Sequence, residues 1–160
     1  MLRIEVIVSE QRLRVYDDSD SVVMDVSVAT AAKGIGQQLG SEQTPLGRHI
    51  VRAKIGAGSA EGTVFVARRP TGEIFSEALR QAEPDRDWIL TRILWLSGTE
   101  PGLNRLGTVD TMRRYIYIHG APDADAMGIQ SSHGCVKMRN SDIIELFEKV
   151  PVGTVVDIVN

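Results

Sequence analysis

The first part of the chain alternates apolar and polar residues with a period of two. Three short segments show it, "IEVIVS" (4–9), "QRLRVYD" (11–17) and "VVMDVSVA" (22–29), and polar turns of a few residues separate them. Such alternation is typical of strands that bury one face, and short polar connections favour hairpins. The pattern predicts a β-meander at the N-terminus.

The middle of the chain has a weaker pattern. "QTPLG" (43–47) has Pro and Gly where a type I turn takes them, and it would return the chain into the strand-like "RHIVRAKI" (48–55). Residues 56–87 mix Gly, Pro and charge around one short apolar run, with a weak helical signal in "SEALRQ" (76–81). We expect this segment to be a surface excursion or a lid. A run rich in the apolar residues typical of strands follows in "WILTRILWLSG" (88–98).

The period of the pattern changes near the C-terminus. Asn140 suits an N-cap, Asp142 suits a first helical turn, and apolar residues follow at i, i+3, i+4 and i+7: Ile143, Leu146, Phe147 and Val150. Pro151 would end this helix, and "TVVDIV" (154–159) would supply a last strand. We therefore predict one domain over residues 1–160, mostly β, with a mixed sheet or sandwich of roughly eight or more strands and one clear helix.

Composition and charge exclude several kinds of partner. The 160 residues carry 18 Lys and Arg against 21 Asp and Glu, a net charge of -3, which disfavours nucleic acid or an anionic membrane. No apolar stretch approaches the roughly 18 residues of a membrane span. Arg3 and Glu5 interrupt the N-terminal apolar residues, so no signal peptide is visible. We expect a cytoplasmic protein, or a periplasmic or secreted one if a leader has been removed.

The only cysteine, Cys135, lies in "SSHGCVKM" (131–138). A lone cysteine is usually a buried apolar residue, but here its neighbours are small, polar or ionisable, and Gly134 leaves room for an approaching ligand. The context favours a presented, nucleophilic thiol. A nucleophilic thiol needs a base, since its ordinary pKa of about 8.5 leaves little thiolate at neutral pH.

Two of the three histidines are candidate bases. In "RRYIYIHG" (113–120), Tyr117 and His119 share one face of a predicted strand, which places His119 on its polar side at the strand end. His133 would share the face of Cys135, but a base from another element is more usual. His49 has no chemically suggestive neighbours, so we expect it to be solvated or structural.

Other kinds of site remain open at this point. His119, His133 and Cys135 could bind zinc, although their spacing is not a standard zinc signature, and we expect no metal and no cofactor. The domain could also be a non-catalytic binding module, which would not need a His–Cys pair. A thiol redox sensor would usually have a second, resolving cysteine, which this chain lacks.

Several motifs resemble the L,D-transpeptidase catalytic domain of the YkuD type. They are "IHG" (118–120), "SHGCVKMRNSDIIELF" (132–147) and "VPVGTVVDI" (150–158), with "TPLG" (44–47) similar to the T-P-x-G turn of the family. Two features depart from the family pattern. The His119 to Ser132 connection is shorter than usual, and Lys137 stands where Arg is usual, which replaces a bidentate fork with a point charge.

The resemblance implies roles for particular residues. Cys135 would be the nucleophile and His119 the general base, with the segment at Gly120 holding the imidazole. Ser132 and His133 would be supporting polar residues, and the Gly134 segment with the Cys135 N–H would form the oxyanion hole. Around them, residues expected to bind substrate are Tyr117, Arg113, Arg114, Lys137 and Arg139.

The implied partner is a peptidoglycan stem tetrapeptide that ends in D-Ala. Attack on the L,D bond would release D-Ala and leave a thioester on the cysteine. Hydrolysis of the thioester would make the protein an L,D-carboxypeptidase that converts tetrapeptide to tripeptide in murein recycling, the outcome we favour. Aminolysis would instead make it an L,D-transpeptidase that forms 3,3 cross-links or attaches protein to the wall.

Overall fold

The computed structural model describes all residues from 1 to 160 and contains ten strands and two α-helices. The strands are β1 (Arg3–Ile7), β2 (Arg12–Tyr16), β3 (Val22–Ser27), β4 (Gly47–Ile55), β5 (Thr63–Val66), β6 (Arg69–Ile74), β7 (Ile89–Gly98), β8 (Tyr117–Ala121), β9 (Val136–Arg139) and β10 (Val155–Val159). The helices are α1 (Glu77–Ala82) and α2 (Asn140–Lys149). Neither helix has the length and apolar character needed to cross a membrane.

All ten strands belong to one mixed sheet. Its main order is β3-β2-β1-β10-β4-β7-β5-β6, and β8 joins it by pairing with β7 and with β9. The N-terminal meander is confirmed, since β1, β2 and β3 are successive antiparallel neighbours. Two pairings are parallel, β1 with β10 and β8 with β9. The prediction of a mostly β fold built on a mixed sheet is therefore confirmed.

Helix α2 covers the core beside β7, β8 and β9. The predicted apolar face is confirmed, because Ile143, Leu146 and Phe147 are all buried. The predicted N-cap is wrong: Asn140 is the first helical residue. Its buried side chain instead accepts a hydrogen bond from Thr91 Oγ1 (2.5 Å) and donates one to Asp123 (3.0 Å). The amide thus stabilises tertiary contacts instead of the helix end.

Residues 56–87 are more regular than their composition suggested. β5 and β6 form a hairpin, and β5 pairs with β7, so the segment extends the sheet over part of its length. The weak helix prediction is confirmed by α1, whose N-cap Ser76 accepts from the Leu79 N–H at 3.1 Å. The sequence did not predict the hairpin, because most of β6 is solvent-exposed and its residues show no apolar alternation.

The segment from Thr44 to Gly47 is extended, and the predicted type I turn is not formed. Thr44 makes an isolated bridge with Ile35, and β4 begins at Gly47. The buried Thr44 hydroxyl accepts from the Ala31 N–H (3.0 Å) and donates to the Gly134 carbonyl (2.9 Å). This hydroxyl therefore ties the first half of the chain to the loop that contains Cys135.

Candidate active site

The parallel pair β8–β9 brings the cysteine and a histidine to one face of the sheet. His119 is paired with Lys137, and Cys135 comes directly before β9. Since side chains alternate across a strand, Tyr117 and His119 face one side while Ile118 faces the main core on the other. The predicted face of His119 agrees with this arrangement. Its predicted position does not, because His119 lies in the middle of β8 and is only 1% exposed.

Cys135 and His119 line the same cavity, which has a volume of about 420 Å³. This is within the range of small-molecule and peptide-end binding sites. The strands and the cysteine loop contribute Tyr117, His119, Ser132, His133, Cys135 and Lys137. Residues from elsewhere complete the lining: Ala67, Arg68, Asp87, Ile89, Arg114, Tyr115 and Ile116.

The thiol of Cys135 is partly buried and contacts two backbone groups. The Tyr117 N–H donates to Sγ at 3.3 Å, and Sγ lies 3.4 Å from the Tyr115 carbonyl oxygen. Burial raises the pKa of Cys135 to about 12, although the Tyr117 N–H opposes that shift. The resting cysteine is therefore a neutral thiol, which must lose its proton during the reaction.

The imidazole of His119 is held in one tautomer. Its Nδ1 lies 2.6 Å from the carbonyl oxygen of Gly120, which can only accept, so Nδ1 carries the proton. Burial lowers the pKa of His119, so the ring is neutral and Nε2 has a free lone pair. Gly120 has no room for a side chain, since a Cβ would lie 2.6 Å from the Leu90 carbonyl oxygen. A neutral imidazole with a free Nε2 is suited to accept a proton.

The loop before Cys135 is fixed by hydroxyl groups. The buried Ser132 hydroxyl donates to the Cys135 carbonyl at 2.5 Å and accepts from the Gly134 N–H at 3.1 Å. Thr44 binds the Gly134 carbonyl, and Gly134 itself has a φ of 129°, which disfavours any other residue. The Gly134 N–H is thus occupied, whereas the Cys135 N–H has no partner in the chain. Of the Gly134 and Cys135 amides, only that of Cys135 is free for an oxyanion.

His133 is placed at the mouth of the cavity. Its side chain is 67% exposed, and its Nδ1 lies 3.9 Å from Asp87 Oδ1. It makes no hydrogen bond to Cys135. The structure contains no group of three or more His, Cys, Asp or Glu side chains arranged to bind a metal ion.

Two of the expected cations line the cavity. Lys137 is largely buried, with 15% of its side chain exposed, and its Nζ lies 4.0 Å from Asp125. Arg114 donates to four acceptors of the chain: the carbonyls of Gly36, Gln37 and Gln43, and the Ser41 hydroxyl. Its guanidinium therefore stabilises the cavity wall and has few donors left for a ligand.

The other two cations lie outside the cavity. Arg113 and Arg139 are exposed and do not contribute to its lining. Arg139 ends β9 four residues after Cys135, which is about 13 Å along an extended strand. Nearness in sequence therefore does not bring either arginine to the thiol.

Sequence reasoning missed two charged residues of the site, Arg68 and Asp87. Both come from the segment 56–87, where runs of charge gave no sign of which side chains face inward. His49, by contrast, is structural as expected: it is fully buried and bonded to the Gly47 carbonyl and to Thr111 Oγ1. The alternative that His49 is solvated is wrong, and burial lowers its pKa to about 4.

Comparisons with known proteins agree with the motifs. The sequence model of the L,D-transpeptidase catalytic domain (YkuD) matches residues 2–158. The probable L,D-transpeptidase YbiS of Escherichia coli K12 is 51% identical over 47 residues, which is 29% of this chain and 15% of that protein. The putative L,D-transpeptidase YqjB of Bacillus subtilis is 40% identical over 37 residues, 23% of this chain and 21% of that protein.

Solved structures show the same fold. An L,D-transpeptidase of Enterococcus faecium superposes with a TM-score of 0.58 at 18% identity, over 98% of this chain and 48% of that one. L,D-transpeptidase 3 of Mycobacterium tuberculosis, in complex with a faropenem-derived adduct, gives a TM-score of 0.61 at 16% identity, over 99% of this chain and 60% of that one. The chain thus spans a small part of these curated relatives and about half of these structural neighbours.

Proposed function

Since this chain belongs to the L,D-transpeptidase catalytic domain family, we propose that it transfers acyl groups from peptidoglycan stem peptides through Cys135. The substrate would be a tetrapeptide cleaved at the L,D bond before its terminal D-Ala. The observation that carries this proposal is that the Cys135 thiol and the His119 imidazole, whose Nδ1 is bound to the Gly120 carbonyl, line one cavity.

The acylation step follows from these protonation states. His119 Nε2 takes the thiol proton as Sγ attacks the carbonyl carbon that precedes D-Ala, and the carbonyl oxygen becomes an oxyanion. The free Cys135 N–H is the donor available to that oxyanion. Collapse of the tetrahedral intermediate breaks the C–N bond, the imidazolium gives its proton to the departing amine, and a thioester remains.

We further propose that water resolves the thioester, so that the activity is L,D-carboxypeptidation. His119 would remove a proton from water, and the tripeptide would leave with the thiol restored. Support comes from the size of the cavity at Cys135, about 420 Å³, which suits one peptide end and is walled by Asp87 and Arg68. An amine competes with about 55 M water only if a second site orients it near the thioester.

A neighbouring groove favours the second candidate, cross-linking. Lys137 lines both the cavity and this groove, which runs along Ala124, Asp125, Ala126, Ile129 and Ser131. The Asp125 carboxylate there pairs with Arg80 at 3.0 Å and lies 4.0 Å from Lys137 Nζ, so it would bind the ammonium group of an acceptor stem only by exchanging one of these partners. The groove lies next to the thioester position, so it is the place an acceptor would occupy in a transpeptidase.

Product analysis separates these outcomes. The protein is incubated with a muropeptide tetrapeptide, with and without an acceptor stem, and the products are identified by mass spectrometry. We expect tripeptide and free D-Ala, with little dimer even when acceptor is abundant. Dominant dimer would establish transpeptidation instead. A protein that neither reacts with a labelled β-lactam at Cys135 nor releases D-Ala would be a binding module or a thiol sensor.

A further inference from the structure

The turn between β5 and β6 has an uncommon backbone for its residues. Val66 pairs with Arg69, which leaves Ala67 and Arg68 as a two-residue turn, with φ values of 48° and 65°. Hairpin turns with two positive φ values usually contain Asn-Gly or Asp-Gly, because side chains with a Cβ are strained there. Strained residues of this kind cluster at functional sites. The turn therefore holds Arg68 in position at a conformational cost.

The side chain of Arg68 is held by aromatic residues at the edge of the cavity. Its guanidinium lies 4.6 Å from the centre of the Trp95 ring and 4.8 Å from that of the Tyr115 ring. Its Nη1 donates to the Tyr117 hydroxyl at 2.9 Å. These contacts orient the planar group and leave other N–H donors free, since no Asp or Glu of the chain pairs with it.

Arg68 differs in this respect from the other cations of the cavity. Lys137 lies beside Asp125, and Arg114 donates to four acceptors of the wall. Only Arg68 combines a place in the cavity lining, a fixed orientation and free donors. A guanidinium with these properties suits bidentate binding of a carboxylate.

We propose that Arg68 is a substrate-binding residue that anchors a carboxylate of the stem peptide beside Cys135. The inference rests on the proposed function, because it takes the stem peptide as the ligand. Tyr117 connects the two residues, since its N–H binds the Cys135 sulfur and its hydroxyl binds Arg68. The carboxylate bound by Arg68 would thus be separated from the Cys135 sulfur by about the length of the Tyr117 residue. The carboxylate at Arg68 belongs to the terminal D-Ala or to the side chain of the diamino acid.

The test measures equilibrium binding, so it does not depend on turnover. Calorimetry gives the Kd of a stem tetrapeptide for Cys135→Ala protein, alone and combined with Arg68→Ala, Arg68→Lys or Arg69→Ala. We expect Arg68→Ala to weaken binding about 10- to 100-fold, as loss of a hydrogen-bonded ion pair does. Arg68→Lys should be intermediate because it keeps the charge without the fork. Arg69→Ala, the exposed neighbour on the same turn, should stay within about twofold of the parent.

Two altered peptides identify the carboxylate. One carries a C-terminal amide in place of the D-Ala carboxylate, and the other carries lysine in place of a carboxylated diamino acid. The peptide that lacks the true partner of Arg68 should bind the parent and the Arg68→Ala protein equally. An undiminished Arg68→Ala effect with both peptides would overturn the assignment to a carboxylate.

The same measurement distinguishes this inference from the proposed function. If the parent binds the tetrapeptide and neither Arg68 variant weakens binding, the inference is wrong and the proposed function stands. If the parent binds none of the stem peptides, both are wrong. Far-ultraviolet circular dichroism and the thermal midpoint show that each variant is folded before its Kd is compared.

Discussion

Two regions line the cavity, and they are built differently. The β8–β9 side is buried, and its polar groups are fixed by Gly120, Ser132 and Thr44. The other region is the segment 56–87, where β6 is mostly exposed and a strained turn presents Arg68. Bond-making groups need fixed geometry and low polarity, whereas recognition groups need charge and access to solvent. On the proposed function, the chemistry would reside in the sheet and recognition in the segment 56–87.

The largest effect should come from the thiol. Cys135→Ala should lower the rate of D-Ala release by at least about 10³-fold, because no other group can form the thioester. Thermal unfolding should be nearly unchanged, since Sγ makes only weak contacts, at 3.3 and 3.4 Å. Mass spectrometry with a labelled β-lactam should show no adduct with the variant. Residual turnover near the wild-type rate would assign the chemistry to other residues.

The next largest effect should distinguish the two histidines. His119→Gln should lower kcat about 10²- to 10⁴-fold because it removes the base on the β8–β9 side. His133→Gln, at the exposed mouth, should have a much smaller effect that falls mainly on KM. Steady-state kinetics of D-Ala release for the two variants provide the comparison. Equal losses in kcat would mean that the mouth histidine takes part in proton transfer.

Removal of the Thr44 hydroxyl, which holds the loop before Cys135, should have an intermediate effect. Thr44→Val keeps the shape of the side chain but leaves the Ala31 N–H and the Gly134 carbonyl without their partner. We expect a loss of about 1–3 kcal/mol in the free energy of unfolding, from buried groups left unpaired. Urea denaturation measures this loss. The matched change Thr71→Val, on exposed β6, should cost much less, and equal costs would contradict the contrast between the two sides.

The two regions also differ in how far the sequence predicts them. Alternation and helical period predicted the meander and α2, and the context of Cys135 and His119 pointed to two residues that line one cavity. These signals exist because buried strands and helices must place apolar residues at regular intervals. The β5–β6 hairpin lacks such a signal, because its strand is exposed and its Ala-Arg turn is not a common turn sequence.

The remaining errors have a similar cause. Asn140 has the composition of an N-cap, but Thr91 and Asp123 bind its side chain from distant parts of the chain. Arg68 and Asp87 reach the cavity only through the fold of the segment 56–87. Partners brought together by tertiary structure leave no local pattern in the sequence. Identifying these two residues of the cavity lining therefore required the structure.

The smallest predicted effects concern the pKa of the thiol, which charges on the two sides shift in opposite directions. The pKa of Cys135 is raised to about 12, chiefly by burial; of the two charges, Asp87 raises it and Lys137 lowers it. The alkylation rate with iodoacetamide follows the thiolate fraction, so it should rise steadily from pH 7 to pH 10 without a plateau. A plateau by pH 8 would mean that the resting cysteine is already a thiolate.

At fixed pH the two charges can be tested against each other. Asp87→Asn removes a negative charge that raises the pKa, so the pKa should fall and alkylation should become about two- to fivefold faster. Lys137→Met removes a positive charge that lowers the pKa, so alkylation should become slower by a similar factor. Asp85→Asn, an exposed carboxylate of the same segment outside the cavity lining, is the matched control and should change little. If Asp87→Asn and Lys137→Met shifted the rate in the same direction, the shift would come from altered access to the thiol. Opposite shifts would show that Asp87, from the segment 56–87, acts on the thiol through its charge.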